Sequence, residues 1–243
     1  MTLKLAITIF VLILLISLGF FSCKSTHKSY SEHLFYITCA VMPESDKTCF
    51  SREKRMEQIL KSIVSVRKMV PDSFVVLLEI GSASEDERRY LDSLVDLYMS
   101  IPVSGLSKSL GEATMMNEFF LSQWFMQNKH RFKTFSKLSG RYFLTDKYDF
   151  SRHSHEKNII KFRWVHPGEG VFETRHFRIP SSNIDKFIKN LENVVNVHPY
   201  IFKHIDIEHI FFLFDFFPSC ETIHAKKIDV AGWYTGNGDY VED

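Results

Sequence analysis

The sequence predicts an α/β fold: a mixed, mostly parallel sheet flanked by helices, preceded by one N-terminal transmembrane helix. Three observations carry this expectation. Apolar runs of strand length alternate with amphipathic helices through the first half, the order that builds a parallel sheet. Ser73–Ile80, SFVVLLEI, is almost continuously apolar, as a strand covered on both faces must be. Leu5 to Phe21 hold no charge, and only Thr8, Ser17 and Gly19 interrupt that apolar run.

At about 1.5 Å per residue, a helix over residues 5–22 approaches the ~30 Å of a bilayer core. Lys4 precedes it and Lys24 and Lys28 follow, so charge asymmetry does not fix its orientation. The rival reading is a cleaved signal peptide, with Ser17 and Gly19 before the cut. Phe20 and Phe21 stand where a bacterial lipoprotein site before Cys23 would need small residues. The chain therefore divides into a short tail (1–4), a transmembrane signal-anchor (5–22), a polar stem (23–32) and one folded domain (33–243). Under either reading the domain faces a lumen or the outside, Golgi- or ER-like in a eukaryote.

The domain opens on a strand at His33–Val41. Met56, Ile59, Leu60, Ile63, Val64 and Val70 then recur at helical spacing, and Pro71-Asp72 ends that helix. After the strand at 73–80, Ser84 and Glu87 form a capping box before a helix carrying Leu91, Leu94 and Val95. A short strand follows near Tyr98–Val103. Ser109 and Glu112 read as a second capping box, opening a helix with Met116, Phe119, Phe120 and Gln123 on one face. Phe132–Leu138 is the next strand, followed by Ser139-Gly140-Arg141 and the apolar Tyr142–Leu144. Beyond Tyr148 the order changes. Ile159–Val165 and Val171–Ile179 read as a strand pair joined by a turn at His166–Gly170. Helices at Asn183–Val195 and Asp206–Phe216 and a last strand at Lys227–Trp233 complete the chain, with a Gly-rich tail.

Composition narrows the function. Thirty basic residues against 29 acidic ones leave a charge of +1, which argues against nucleic acid as the main partner. Four cysteines (Cys23, Cys39, Cys49, Cys220) are too few for a disulfide scaffold; a Cys39–Cys49 bridge and reduced core thiols both remain open. Among eleven histidines, the pairs His153/His155 and His204/His209 lack an acidic or Cys partner at ligand spacing. Gly-x-Ser-x-Gly, the Walker loop and Gly-x-Gly-x-x-Gly are absent, which removes the common hydrolase, NTPase and dinucleotide classes.

In a parallel sheet, ligands bind outside the carboxyl ends of the strands. Those ends fall at Val41–Pro43, Glu79–Ser82, Val103–Lys108 and Ser139–Arg141. Glu79, at the end of an apolar strand, is either an acceptor for a ligand hydroxyl or a tie for the neighbouring loop. Lys108, just before a helix N-terminus, and Gly111 after it make either a phosphate site or an ordinary cap. Lys137, Ser139, Gly140 and Arg141 put two cations and a flexible glycine at one strand end, where a guanidinium fork can hold a diphosphate; solvated charges on a turn are the alternative. Asp206 reads as an N-cap. Glu208, in the same first turn, is either a general base or a carboxylate favoured by the helix dipole.

Taken in order from Leu34 to Gly236, these segments resemble glycosyltransferase-like proteins of the GT-A, nucleotide-sugar-binding fold. Four stretches carry the resemblance: the Arg-rich first helix leading to Pro71–Glu79, Lys108–Glu112, Lys137–Leu144 and Asp206–His209. It implies a glycosyltransferase moving a sugar from a nucleotide-sugar donor to a glycan or lipid acceptor. Glu79 would lie by the nucleoside, Lys108 and Gly111 would flank the nucleotide, and Glu208 would activate the acceptor. Such proteins usually carry Asp-x-Asp where Ser139-Gly140-Arg141 stands here, and that pair binds a divalent cation, Mn²⁺ or Mg²⁺. The sequence departs from the pattern at this point. Arg141 with Lys137 would then neutralise the diphosphate directly, and Asp146 and Asp149 are the remaining candidate metal ligands. Two other readings stand beside this one: a catalytically silent nucleotide- or sugar-binding relative, and a membrane-tethered interaction domain that docks a partner through its Phe-rich C-terminal half.

Overall fold

The computed structural model describes residues 31–42, 49–103, 106–166, 169–197, 199–201, 205–234 and 237–243. The expected membrane helix and most of the stem lie outside these residues. Among the described residues, no helix is long and apolar enough to cross a membrane.

Strand β1 (His33–Cys39) is followed by α1 (Arg52–Met69), β2 (Phe74–Glu79), α2 (Glu85–Asp92), β3 (Leu97–Ser100) and α3 (Lys108–Leu121). Then come α4 (Gln123–Asn128), β4 (Thr134–Ser139) and β5 (Tyr142–Leu144). A long hairpin of β6 (Asn158–His166) and β7 (Glu169–Pro180) leads into α5 (Ser181–Val197), α6 (Ile207–Leu213), β8 (Thr222–His224), β9 (Val230–Trp233) and β10 (Tyr240–Glu242). Seven strands form the main sheet in the order β3-β2-β1-β4-β7-β6-β8, and β10-β9-β5 form a small second sheet. Strands β1 to β4 run parallel, β7 is antiparallel to β4 and to β6, and β8 is parallel to β6. The mixed, mostly parallel sheet flanked by helices is thus the one the sequence predicts.

Alternation along β1 shows how the layers form. Leu34 and Tyr36 pack into a core shared with α3, α4, α5 and α6, while Phe35, Ile37 and Cys39 pack into a second core beneath α1. A strand buried on both faces has no polar side to alternate with, hence the continuous apolar runs. The phenylalanine excess has the same origin. Phe119, Phe120, Phe125, Phe177, Phe187, Phe211 and Phe217 are all at most 2% exposed. These phenylalanines therefore fill the core.

Several local expectations are corrected. The N-cap of α3 is Ser107, whose side chain accepts from the Leu110 amide, so Ser109 and Glu112 form no capping box; Glu112 faces a buried lysine instead. The capping box at Ser84 and Glu87 is present as read. The helix expected to run through Gln123 breaks at Ser122, an extended residue whose side chain caps the separate helix α4. Cys39 and Cys49 are not joined by a disulfide. Strands β8 and β10, each of three residues, have no distinct sequence signal.

Candidate functional site

Strand order reverses between β1 and β4, so the crevice outside their carboxyl ends is the topological switch point where an open α/β sheet binds ligands. Gly140 sits at that point because nothing larger fits. A Cβ there would stand 2.7 Å from the Cys39 Cβ and 3.2 Å from the Thr38 carbonyl oxygen. Gly232 of β9 is under the same constraint: a Cβ there would collide with the Arg141 carbonyl oxygen and the Tyr142 ring. The chain between Ser139 and Tyr142 is thereby clamped by two close backbone approaches, which fix where Arg141 starts.

Lys137 projects from β4 toward α3 and has no exposed surface. Its ammonium donates to Glu112, Ser139 Oγ and the Thr174 carbonyl, each at 2.5 Å. Glu112 also accepts from Thr38 Oγ1 at 3.0 Å, and Lys137 holds its carboxyl below the usual range against the opposing effect of burial. Thr174 extends the network through its hydroxyl, which donates to Glu208 Oε1 at 2.8 Å. A buried ion pair thus links β1, α3, β4 and β7 to the first turn of α6. Lys137 and Ser139, both expected to face a ligand, are each engaged in this pair.

Above it lies a mixed cluster. The Tyr142 ring is flanked by the guanidinium groups of Arg141, at 5.6 Å, and Arg175, at 5.5 Å. Burial foremost raises the Tyr142 hydroxyl, with Glu208 and Tyr234 adding to the shift and the two arginines opposing it. Desolvation lowers the Lys108 ammonium first, and Arg141 lowers it further, against Glu112, Glu208 and Asp206. Lys108 as a whole residue remains exposed, so its head is only partly shielded. Arg141 also donates to the Trp233 carbonyl at 3.4 Å. Lys108 is therefore within electrostatic reach of both Arg141 and Glu208, which come from two other distant segments.

Other candidates fall elsewhere. Glu79 is wholly buried; its carboxylate accepts from the Gly81 amide at 2.8 Å, from the Ser82 amide at 2.9 Å and from Ser82 Oγ at 2.5 Å. Tyr98 adds a fourth contact at 3.3 Å. Of its two readings this geometry matches the loop tie, because a ligand would have to displace that set. Gly111 is buried in α3, where a methyl group would meet only Val103 at an ordinary 3.8 Å, so no close approach demands glycine there. Asp206 occupies the N-cap position of α6 without a capping hydrogen bond. Asp146 pairs with Lys68 at the surface, and Asp149 accepts from Ser151.

A divalent cation does not fit the donors at the β4 edge. Arg141 places a positive charge there, Ser139 already accepts from Lys137, and the carboxylates of Glu112 and Glu208 hold protein partners. No group of three His, Cys, Asp or Glu suited to a metal occurs among the described residues. A hollow of about 30 Å³, lined by Tyr148, His176, Arg178 and Asp229 among others, contains none of the edge residues and has room for a water molecule.

Sequence reasoning missed Thr38, Thr174, Arg175 and Arg55. Three of them lie in strand interiors or ends with ordinary patterning, and only the fold brings them to the edge. Arg55 did carry a signal. It falls four residues before Ile59 on the buried stripe of α1, where a charge is out of place.

No protein-family model and no curated protein matches this chain. Solved structures similar to it include the glycosyltransferase GlyE of Streptococcus pneumoniae TIGR4, at 10% identity and a TM-score of 0.47, over 81% of this chain and 45% of that one. Core-mannan synthase A of Aspergillus fumigatus, in an Mn/GDP form, is similar at 6% identity and a TM-score of 0.46, over 91% of this chain and 82% of that one. The chain thus spans less than half the length of GlyE.

Proposed function

We propose that this protein is a glycosyltransferase, held at a membrane by its N-terminal apolar segment, that moves a sugar from a nucleotide-sugar donor to a hydroxyl of a glycan or lipid acceptor. The observation that carries the reading is the convergence of Lys108, Arg141 and Glu208 at the β1/β4 switch point, on a scaffold pinned by the buried Lys137–Glu112 pair. Cations suit a diphosphate leaving group, and a carboxylate suits an acceptor hydroxyl. In the reaction, the acceptor oxygen bonds the sugar's anomeric carbon while Glu208 takes its proton. The bond from that carbon to the phosphate oxygen breaks, and the diphosphate leaves with the electron pair. Arg141 and Lys108 stabilise the charge that develops on it. Thr174 orients the Glu208 carboxylate through its 2.8 Å hydrogen bond. The divalent cation common to this fold has no fitting donors at the β4 edge, so no step is assigned to it.

The test uses the full chain in detergent. UDP and GDP binding are measured by calorimetry, then transfer with a panel of nucleotide sugars, with and without Mn²⁺. Arg141→Ala is expected to weaken nucleoside-diphosphate binding about tenfold or more, as loss of a charge-assisted contact does, with little change in melting temperature. Glu208→Gln is expected to bind normally and to transfer about a hundredfold more slowly. Full activity in Glu208→Gln would move the base elsewhere. Binding without turnover by the unaltered chain would make it a non-catalytic relative, and absence of binding would remove the reading altogether.

A further inference from the structure

Arg55 is the buried charge that the proposed mechanism does not use. It lies in the second turn of α1 and is 7% exposed. Its Nε and Nη1 atoms have no hydrogen-bond partner among the described residues. Arg178, also buried, offers a contrast: three backbone carbonyls accept from its two terminal nitrogens, so that its charge holds a loop. Among the described residues no comparable set of acceptors surrounds Arg55. The groups that act on it electrostatically are the thiols of Cys39 and Cys49 and a second cation, Arg141. Burial first, and Arg141 second, push its guanidinium down to about 10, still fully charged at neutral pH. A charged group taken from water normally needs a counter-ion and hydrogen-bond acceptors; among the described residues Nε and Nη1 have no acceptor and no carboxylate acts on the group, while a like charge stands nearby.

The position is informative as well. Cys39 ends β1 and packs against Gly140 at the end of β4, and α1 begins beyond that same end of β1; Arg55, in its opening turns and within electrostatic reach of Cys39 and Arg141, therefore lies toward the crevice from the α1 side of the sheet. Lys108 approaches from the α3 side. Two unsatisfied nitrogens of a planar fork, close to a second fork, make a receptor for a multiply charged anion with several acceptor oxygens.

We propose that Arg55 is a further donor-binding residue, whose guanidinium together with that of Arg141 holds the diphosphate at the crevice between β1 and β4. This rests on the nucleotide-sugar reading for the identity of the anion, though not for its charge. An anion there supplies the acceptors that Arg55 lacks, and it turns the repulsion between two guanidinium groups into shared attraction. It also explains why a cationic side chain is kept on the buried stripe of α1.

Inorganic pyrophosphate, UDP and the nucleoside uridine are the probes, applied to the full chain in detergent. Melting temperature and calorimetric affinity are read for the unaltered protein, Arg55→Met and Arg55→Lys. Removing a buried, unpartnered charge is expected to raise the melting temperature of Arg55→Met without ligand, the opposite of what loss of a structural contact does. The same variant is expected to lose about tenfold or more of its pyrophosphate and UDP affinity, with any uridine affinity unchanged, and Arg55→Lys to retain part of it. A lower ligand-free melting temperature for Arg55→Met, or its failure to fold, overturns the proposal, as does equal UDP affinity in the unaltered and Met forms. That last result leaves the nucleotide-sugar reading standing. Pyrophosphate binding that depends on Arg55, without any gain from the nucleoside of UDP or GDP, does the reverse: it supports the anion site and removes the nucleotide.

Discussion

Lys137 has no exposed surface, and the three groups that accept from it come from α3, β4 and β7. Removing one member of such a pair leaves the other charge buried alone, which typically costs about 3–5 kcal/mol. Lys137→Met is therefore expected to lose about that much stability in chemical denaturation, with Glu112 left uncompensated. Replacing both, as Lys137→Met with Glu112→Leu, is expected to restore most of it, because the unpaired carboxylate goes as well. A double variant no more stable than the single one would show that the pair is not the relevant unit. His176 gives a second test at this scale. Its Nδ1 donates to the Lys137 carbonyl at 2.7 Å and its Nε2 accepts from the Tyr148 hydroxyl at 3.2 Å, which fixes a neutral ring. Burial pushes it from 6.5 down to about 4. Between those values the unfolded chain binds a proton that the native ring refuses. Its stabilisation is thus complete above pH 6.5 and is lost as pH falls toward 4, by at most about 1.4 kcal/mol per pH unit. His33, half-buried and also pushed to about 4, chiefly by burial, adds a smaller share of the same sign. Stability measured against pH should flatten over this window in His176→Asn, and an unchanged slope would exclude His176 as the group.

Helix α1 carries two buried serines where its apolar stripe leads one to expect hydrophobic residues. The reason is β5, which pairs with β9 along one edge only and leaves backbone groups open on the other. Ser62 donates to the Tyr142 carbonyl at 2.6 Å, and Ser65 accepts from the Leu144 amide at 3.0 Å. The helix thus completes the strand's edge with side chains in place of another strand, and it holds Tyr142, next to Arg141, in position. Ser62→Ala removes the donor and leaves a buried carbonyl unpaired, with an expected loss of about 1–3 kcal/mol in denaturation. Weaker UDP binding should accompany it if β5 positions Arg141. A stability change under about 0.5 kcal/mol would mean that the Tyr142 carbonyl finds another donor.

At the scale of the molecule, both cores are built from residues after His33, and β1 is an interior strand of the sheet with partners on both sides. Fragment 31–243 is accordingly expected to fold alone, unfolding in one cooperative transition followed alike by circular dichroism and tryptophan fluorescence. A fragment recovered only as aggregate, while the full chain behaves well in detergent, would show that the preceding segment contributes to the fold. The sheet also sets the direction of the site: Ser31 enters at the amino end of β1, whereas Lys108 and Arg141 lie beyond the carboxyl ends of the strands.

The sequence by itself determined the elements and their layering, because those depend on local periodicity and caps. The apolar run at 74–78, the capping box at Ser84 and the paired strands β6 and β7 all declare themselves within a few residues of chain. It also marked the stretches that reach the sheet edge, among them Lys108, Arg141 and Glu208. What it could not determine is how each charge is used, since a side chain's role depends on partners distant in the chain. Lys137 and Arg141 are four positions apart with similar charge, yet one is locked against Glu112 in the core while the other stands partly exposed beside Tyr142. Glu79 and Glu208 differ in the same way, the first tied to its own loop and the second joined to the network through Thr174. Only the tertiary structure decided between them, because burial converts a charge from a solvated group into one that must be paired. Arg55, buried with two nitrogens unpartnered among the described residues, is where that requirement points to something outside the chain.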